Sequence, residues 1–216
     1  MVLSRGLVVR TFVAGYPDET SGIVLVDAPS PDGTMGHYGK LVRVRDLAKR
    51  TIPPVQTMKT SPPIPISNAE REQALKYKSR KISPPFDRLP PEIQHLQLWA
   101  QMLPPKVRLS EKDDYTPEEW QVLYELQQFG HPLGDKPLIT IIGMKEAENQ
   151  PASMTAEQWH TLHQEKIEQK RAFITLSTNS EAVEVQDAGH SIHLEDPDAV
   201  IKAIHDVMNA ALHIPT

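Results

Sequence analysis

The sequence predicts an α/β protein built around a short parallel β-sheet. Three apolar runs have the composition of strands, namely 22–27, 138–142 and 182–186. The first two are continuous and rich in β-branched residues, which is typical of strands covered on both faces. Helical segments separate the second run from the third and follow the third, and this alternation of strand and helix is the pattern of a parallel sheet.

Two of the predicted helices lie in the C-terminal part of the chain, and a shorter one spans 7–15 near its start. The first C-terminal helix begins near Thr155, which has the spacing of a capping box with Gln158. The second opens at Asp196 and Pro197, an N-cap residue followed by proline in the first turn. Its apolar residues are predicted to share one face: Val200, Ile201, Ile204, Val207, Met208 and Ala211.

A proline-rich segment interrupts this pattern between the first and second strands. Eleven of the 20 prolines fall between Pro53 and Pro105, many of them in pairs that exclude a continuous helix. We therefore expect short helices joined by extended turns, best formed over 93–102 and 118–129, with a disordered linker as the alternative. The predicted parts are the start of the core (1–29), an inserted helical cap (30–135) and the C-terminal core (136–216).

The composition argues against several classes of protein. A formal charge of −5 is not that of a nucleic-acid binder, and the one basic run, 76–81, fits a solvated surface. The chain has no cysteine for disulfide or thiolate chemistry. It lacks an apolar stretch long enough to span a membrane, and its start lacks the apolar core of a signal peptide. We expect a cytoplasmic protein, unless a signal peptide precedes a truncated start.

The most informative motif is a Gly-His pair near the C-terminus. Gly189 and His190 follow the predicted strand 182–186 and precede the helix that opens at Pro197. This order puts an imidazole at the carboxyl end of a strand, which is the edge where sheets with crossover helices bind ligands. A histidine that only caps the following turn is the alternative interpretation.

Three sequence blocks, taken in order, resemble the C-terminal half of an α/β-hydrolase. The block from Gly6 to Asp27 is similar to the helix after the nucleophile elbow and the sixth strand. Residues 133–143 are similar to the seventh strand, and the Gly-His pair at His190 to the catalytic-histidine loop. The resemblance implies a partial α/β-hydrolase fold whose earlier strands would precede Met1.

The family's acyl-transfer chemistry uses a serine nucleophile, a carboxylate and a histidine base, in that chain order. By this resemblance His190 is the base. The favoured carboxylate is Glu146, which follows the seventh-strand block in a Gly-x-x-Glu sequence, and its rivals are Glu148 and Asp27. A solvated acidic loop without a catalytic role is the alternative at 145–148.

Ser4 is the candidate nucleophile, and it fits the family pattern poorly. The elbow sequence is Gly-x-Ser-x-Gly, but Val2 stands here in place of the first glycine. The strained turn of the elbow leaves little room for a bulky side chain at that position. Aligning Gly6 with the start of the following helix instead puts Leu3 at the nucleophile position. We therefore expect little labelling of this chain by a fluorophosphonate.

The resemblance implies a hydrolase of esters or similar small acyl substrates, truncated and weak or inactive. The alternative is a non-catalytic remnant or protein-interaction module. No cofactor is expected, and no metal, because His160-x-x-His163 and His190-x-x-His193 lack the flanking residues of zinc motifs. The expected partners are a small acyl substrate and a second copy bound through the exposed edge of the strand 22–27, with no nucleic acid and no membrane.

Overall fold

The computed structural model describes residues 9–10, 12–13, 15–37, 40–43, 46, 67–69, 82–102, 125, 131–147 and 150–212. The strands are β1 (Ile23–Val26), β2 (Thr34–His37), β3 (Lys40–Arg43), β4 (Leu138–Gly143) and β5 (Ser180–Val185). The α-helices are α1 (Pro91–Met102), α2 (Ala156–Arg171), α3 (Ile192–Glu195) and α4 (Pro197–Leu212). Short 3₁₀ helices span Pro17–Glu19, Phe86–Arg88 and Ala172–Leu176.

The three predicted strands form one sheet in the order β1-β4-β5, and both pairings are parallel. Leu25 lies opposite Thr140, which in turn lies opposite Ala182. The central strand β4 is buried along its whole length, as its unbroken apolar run predicts. The predicted class, an α/β protein with three parallel strands and flanking helices, is confirmed.

Each face of the sheet has its own apolar core. On one face, Ile139 and Ile141 of β4 belong to a cluster with Ala203 and Val207 of α4. On the other face, Leu138 belongs to a cluster that contains both buried apolar residues of the 3₁₀ helix 172–176, Phe173 and Leu176. The helices therefore cover both faces of β4.

The predicted helix starts are confirmed. At the start of α2, Gln158 N donates to Thr155 Oγ1 at 3.2 Å and Thr155 N donates to Gln158 Oε1 at 2.9 Å, so the capping box is complete. At the start of α4, Ala199 N donates to Asp196 Oδ1 at 3.1 Å. The described residues among 9–15 are helical, as predicted.

The predicted apolar face of α4 is buried along one edge only. Val207 is 7% exposed, whereas Ile201, Ile204 and Met208 are 52%, 44% and 55% exposed. The reason is geometric, because the sheet meets the helix along the narrow stripe of Ala203 and Val207. The more exposed apolar residues flank that stripe.

The region predicted as a helical cap contains a β-hairpin. Strands β2 and β3 pair antiparallel, with Thr34 opposite Arg43. The hairpin contacts α2, because Thr34 Oγ1 donates to Glu165 Oε2 at 2.6 Å and Gln169 Nε2 donates to Thr34 Oγ1 at 2.9 Å. Four-residue strands with little alternation give a weak sequence pattern, so only helices were expected here.

Two compact units divide the chain. One is formed by residues 1–52 and 115–216, and the other by residues 53–114. The second unit contains α1, which confirms the helix predicted over 93–102. The helix predicted over 118–129 lies outside the described residues except for Glu125, which is helical.

The described part of the first unit leaves one edge of β1 without a neighbouring strand, since β1 pairs with β4 alone there. Self-association through this edge stays a prediction. No helix in the described part of the chain is long and apolar enough to cross a membrane.

Candidate active site

Groups from three strand ends meet at one edge of the sheet. Asp27 directly follows β1, Gly143 ends β4, and His190 lies on the loop after β5. Because the strands are parallel, their carboxyl ends share one edge, and the side chains that follow them come together. The closest contact joins His190 Nδ1 to Asp27 Oδ2 at 2.8 Å.

Asp27 is the buried centre of this cluster. The residue is 5% exposed and has a φ of 45°, a left-handed conformation that is uncommon for residues other than glycine. Its backbone N–H still donates to Ile141 O at 2.8 Å, so the strained turn begins while the strand pairing continues. Its Oδ1 accepts hydrogen bonds from Gly143 N at 3.0 Å and Lys170 Nζ at 2.5 Å.

These contacts keep the Asp27 carboxyl ionised. Burial alone raises the pKa of Asp27, but the hydrogen bond from His190, the charge and hydrogen bond of Lys170 and the N–H of Gly143 together outweigh it. The pKa of Asp27 therefore lies below its ordinary value. An ionised carboxylate only accepts hydrogen bonds, so Nδ1 of His190 is the donor and Nε2 of the neutral ring carries the lone pair.

The loop that carries His190 is fixed by backbone contacts. Gly189 N donates to Glu195 Oε2 at 2.9 Å, and Lys145 N donates to Ala188 O at 3.0 Å. A Cβ at Gly143 would overlap the Gly189 carbonyl oxygen and lie 2.8 Å from its carbon, so only glycine permits this approach. The His190 side chain is nevertheless 67% exposed, which leaves its ring open to a ligand.

Glu146, the carboxylate that the sequence favoured, contacts a different histidine. Its Oε2 lies 3.1 Å from His160 Nδ1 on α2. The loop after β4 is held against the same helix, because His163 Nε2 donates to Met144 O at 2.9 Å and Trp159 Nε1 donates to Ala147 O at 3.0 Å. These contacts direct Glu146 toward α2, so it does not pair with His190.

The remaining sequence candidates are not described by the structure. Ser4 and Glu148 both lie outside the described residues. Within the described residues, no three His, Asp or Glu side chains lie close enough together to hold a metal ion.

A surface cavity of about 370 Å³ lies beside β5 and the start of α4. Its lining includes Val185, Asp187 and Ala199 but neither His190 nor Asp27. The cavity therefore adjoins the loop of His190 through Glu195, but His190 and Asp27 do not line it.

Sequence reasoning identified His190 and named Asp27 as a rival acid, but it missed Lys170. Asp27 carries a usable signal, because a charged residue directly after a buried strand lies at the ligand-binding edge. Lys170 sits among the charged residues that end α2, and nothing in that local pattern separates it from a solvated lysine.

No protein-family model matches the chain, and no curated protein matches it. Among solved structures, the chain is similar to a crystal structure of a protein from Pseudomonas aeruginosa PAO1 described as a probable hydrolytic enzyme. The two share 15% sequence identity with a TM-score of 0.43, over 94% of this chain and 60% of the other. This chain thus matches less than two thirds of the length of that protein.

Proposed function

We propose that this chain carries the acid–base part of a hydrolase site of the α/β-hydrolase kind, acting on esters or similar small acyl substrates. The observation that supports the proposal is the contact between exposed His190 and buried, ionised Asp27 at the carboxyl edge of a parallel sheet. In this proposal Asp27, rather than Glu146, is the carboxylate that orients the base.

The contact fixes what the imidazole can do. With Nδ1–H donated to Asp27, Nε2 accepts the proton of a hydroxyl group while that oxygen attacks the acyl carbon. The negative charge of Asp27 stabilises the imidazolium that forms. Nε2 then returns the proton to the leaving alkoxide, which completes the reaction if water is the nucleophile. If a serine hydroxyl attacks, it keeps the acyl group as an ester, and the same pair activates a water molecule that releases the acid and restores the serine. In both cases the pair ends the cycle unchanged.

The nucleophile is either Ser4 or a water molecule, and the two give different results. If Ser4 attacks, S4A abolishes hydrolysis of p-nitrophenyl acetate and fluorophosphonate labelling together. If water attacks, S4A keeps the hydrolysis rate and the wild-type chain is not labelled. The valine at position 2 favours water, because it disturbs the elbow that a serine nucleophile needs.

The test of the base compares two histidines of similar exposure. The side chains of His190 and His160 are 67% and 64% exposed, and each has Nδ1 on a carboxylate. For H190Q we expect a fall of about 10² to 10⁴ in the enzymatic rate of p-nitrophenyl acetate hydrolysis, the usual contribution of a general base. For H160Q we expect the wild-type rate.

Equal rates for wild type, H190Q and H160Q would contradict the proposal. The chain would then be better described as a non-catalytic interaction module. Circular dichroism and thermal melting of the three proteins establish that the compared chains are equally folded.

A further inference from the structure

The cation beside Asp27 comes from the last turn of α2. Lys170 extends its side chain to Asp27, and that side chain is only 14% exposed. Lysine is rarely this buried without an anionic partner, because desolvation of an ammonium group is costly. Here the partner is the same carboxylate that holds His190.

The two oxygens of Asp27 divide their partners. Oδ1 accepts from Lys170 Nζ at 2.5 Å and from Gly143 N at 3.0 Å, whereas Oδ2 is left to His190 Nδ1 at 2.8 Å. Two donors on Oδ1, from a helix and from a strand, fix the rotation of the carboxylate. The lysine therefore supports the histidine contact and does not compete with it.

Within the described parts of the chain, the charged groups around this carboxylate come from two elements. His190 faces it from the loop after β5, and Lys170 and Lys166 face it from α2. Burial lowers the pKa of Lys166, the charge of Lys170 lowers it further, and the charge of Asp27 raises it. Lys170 is the lysine that makes direct contact, so its charge is the main balance to that of Asp27.

We propose that Lys170 is a positioning residue for the His190–Asp27 pair, holding Oδ2 toward Nδ1 and balancing the charge of Asp27. The meaning of this role for catalysis depends on the function proposed above. With Lys170 present, its positive charge offsets part of the negative charge that Asp27 presents to His190. Without it, the full negative charge faces His190, and the ring takes up its second proton more readily.

The test follows the protonation of His190 by NMR in protein labelled with ¹⁵N at the histidine rings. In K170M we expect the His190 ring to take up its second proton about one pH unit higher than in the wild type, since an opposite charge at close range exerts an effect of that size. K170R retains the charge, and its His190 ring is expected to titrate at nearly the same pH as in the wild type. K202M removes a lysine from an exposed pair with Asp206 and is expected to leave the His190 titration unchanged.

A merely structural lysine would give a different result. K170M would then be less stable, but its His190 ring would titrate as in the wild type, and that result would overturn the proposal. If K170M does not fold, the wild-type chain with ¹⁵N-labelled lysine provides the test. We expect the Nζ signal of Lys170 to shift at the pH where His190 titrates, and the absence of such a shift would equally contradict the coupling.

Failure of this inference is distinguishable from failure of the proposed function, because the titration requires no turnover. A shifted titration with no ester hydrolysis in the wild type would leave Lys170 in its role and remove the hydrolase. Ester hydrolysis that depends on His190, together with a His190 titration that is the same in K170M and wild type, would support the hydrolase and remove the role of Lys170.

Discussion

Among the residues that the structure describes, two histidine–carboxylate pairs have similar contact distances but different surroundings. His190 lies 2.8 Å from Asp27, and His160 lies 3.1 Å from Glu146. The Asp27 side chain is 5% exposed, whereas that of Glu146 is 35% exposed. A short distance between imidazole and carboxylate therefore does not by itself define a catalytic pair.

The difference lies in how each carboxylate is held. Asp27 sits at a strand end in a strained turn, with Lys170 and Gly143 on its other oxygen. Glu146 lies on a loop beside a helix surface, where an ion pair gains little because water solvates both partners. The contacts of Lys170 and Gly143 with Asp27 give the His190–Asp27 pair a fixed geometry. Residues in strained backbone conformations are concentrated at functional sites.

The largest effect on folding is expected when the charge of Asp27 is removed. Asparagine tolerates the left-handed conformation, so D27N isolates the loss of charge from any added strain. Lys170 is then left without its anionic partner, and we expect the free energy of unfolding at pH 7 to fall by about 3 kcal/mol. Urea denaturation measures the change.

The surface pair is the control for this measurement. We expect E146Q to lower the free energy of unfolding by less than about 1 kcal/mol. Equal losses for D27N and E146Q would show that burial does not distinguish the two pairs.

A smaller loss is expected when the loop of His190 is displaced. In G143A the new Cβ would overlap the Gly189 backbone, so the loop must move away from β4 at a cost of about 1–3 kcal/mol. The contact between His190 and Asp27 should weaken as a result. Thermal melting and the NMR titration of His190 measure the two effects.

The matched variant is G15A, because a Cβ at Gly15 meets no atom within 4 Å. We expect G15A to be as stable as the wild type or slightly more stable. A G143A protein that behaves like G15A would refute the close packing of this loop.

The smallest expected effect is a dependence of stability on acid pH. The pKa of Asp27 is lower in the folded chain than its ordinary value of 3.8, so in acid the unfolded chain takes up its proton first. The stability that Asp27 contributes is thus present above about pH 4 and is lost as the pH falls through its folded pKa. The difference in stability between wild type and D27N should narrow below pH 4, and a difference that stays constant down to pH 2 would contradict this.

The sequence predicted the parts of the structure that local physics controls. Apolar runs predicted the parallel strands, and the Thr155 capping box and Asp196-Pro197 predicted the starts of two helices. The position of His190 followed from the strand before it. The hairpin and the one-sided burial of α4 could not be predicted, because both depend on neighbours that are distant in sequence.

The site was less predictable than the fold for a related reason. The choice between Asp27 and Glu146 depends on which way the loop after β4 turns, and Trp159, His160 and His163 decide that from α2. Lys170 is 143 positions from Asp27 in the sequence. Contacts of this kind leave no local pattern that could indicate them.

The most direct test of the central claim compares the two carboxylates by the rate of p-nitrophenyl acetate hydrolysis at pH 7. In D27N the amide presents the wrong hydrogen-bonding group to Nδ1, and we expect the enzymatic rate to fall by up to about 10⁴. In E146Q we expect the wild-type rate. A D27N protein that keeps its rate, or an E146Q protein that loses it, would contradict the proposal that Asp27 orients His190 as the base.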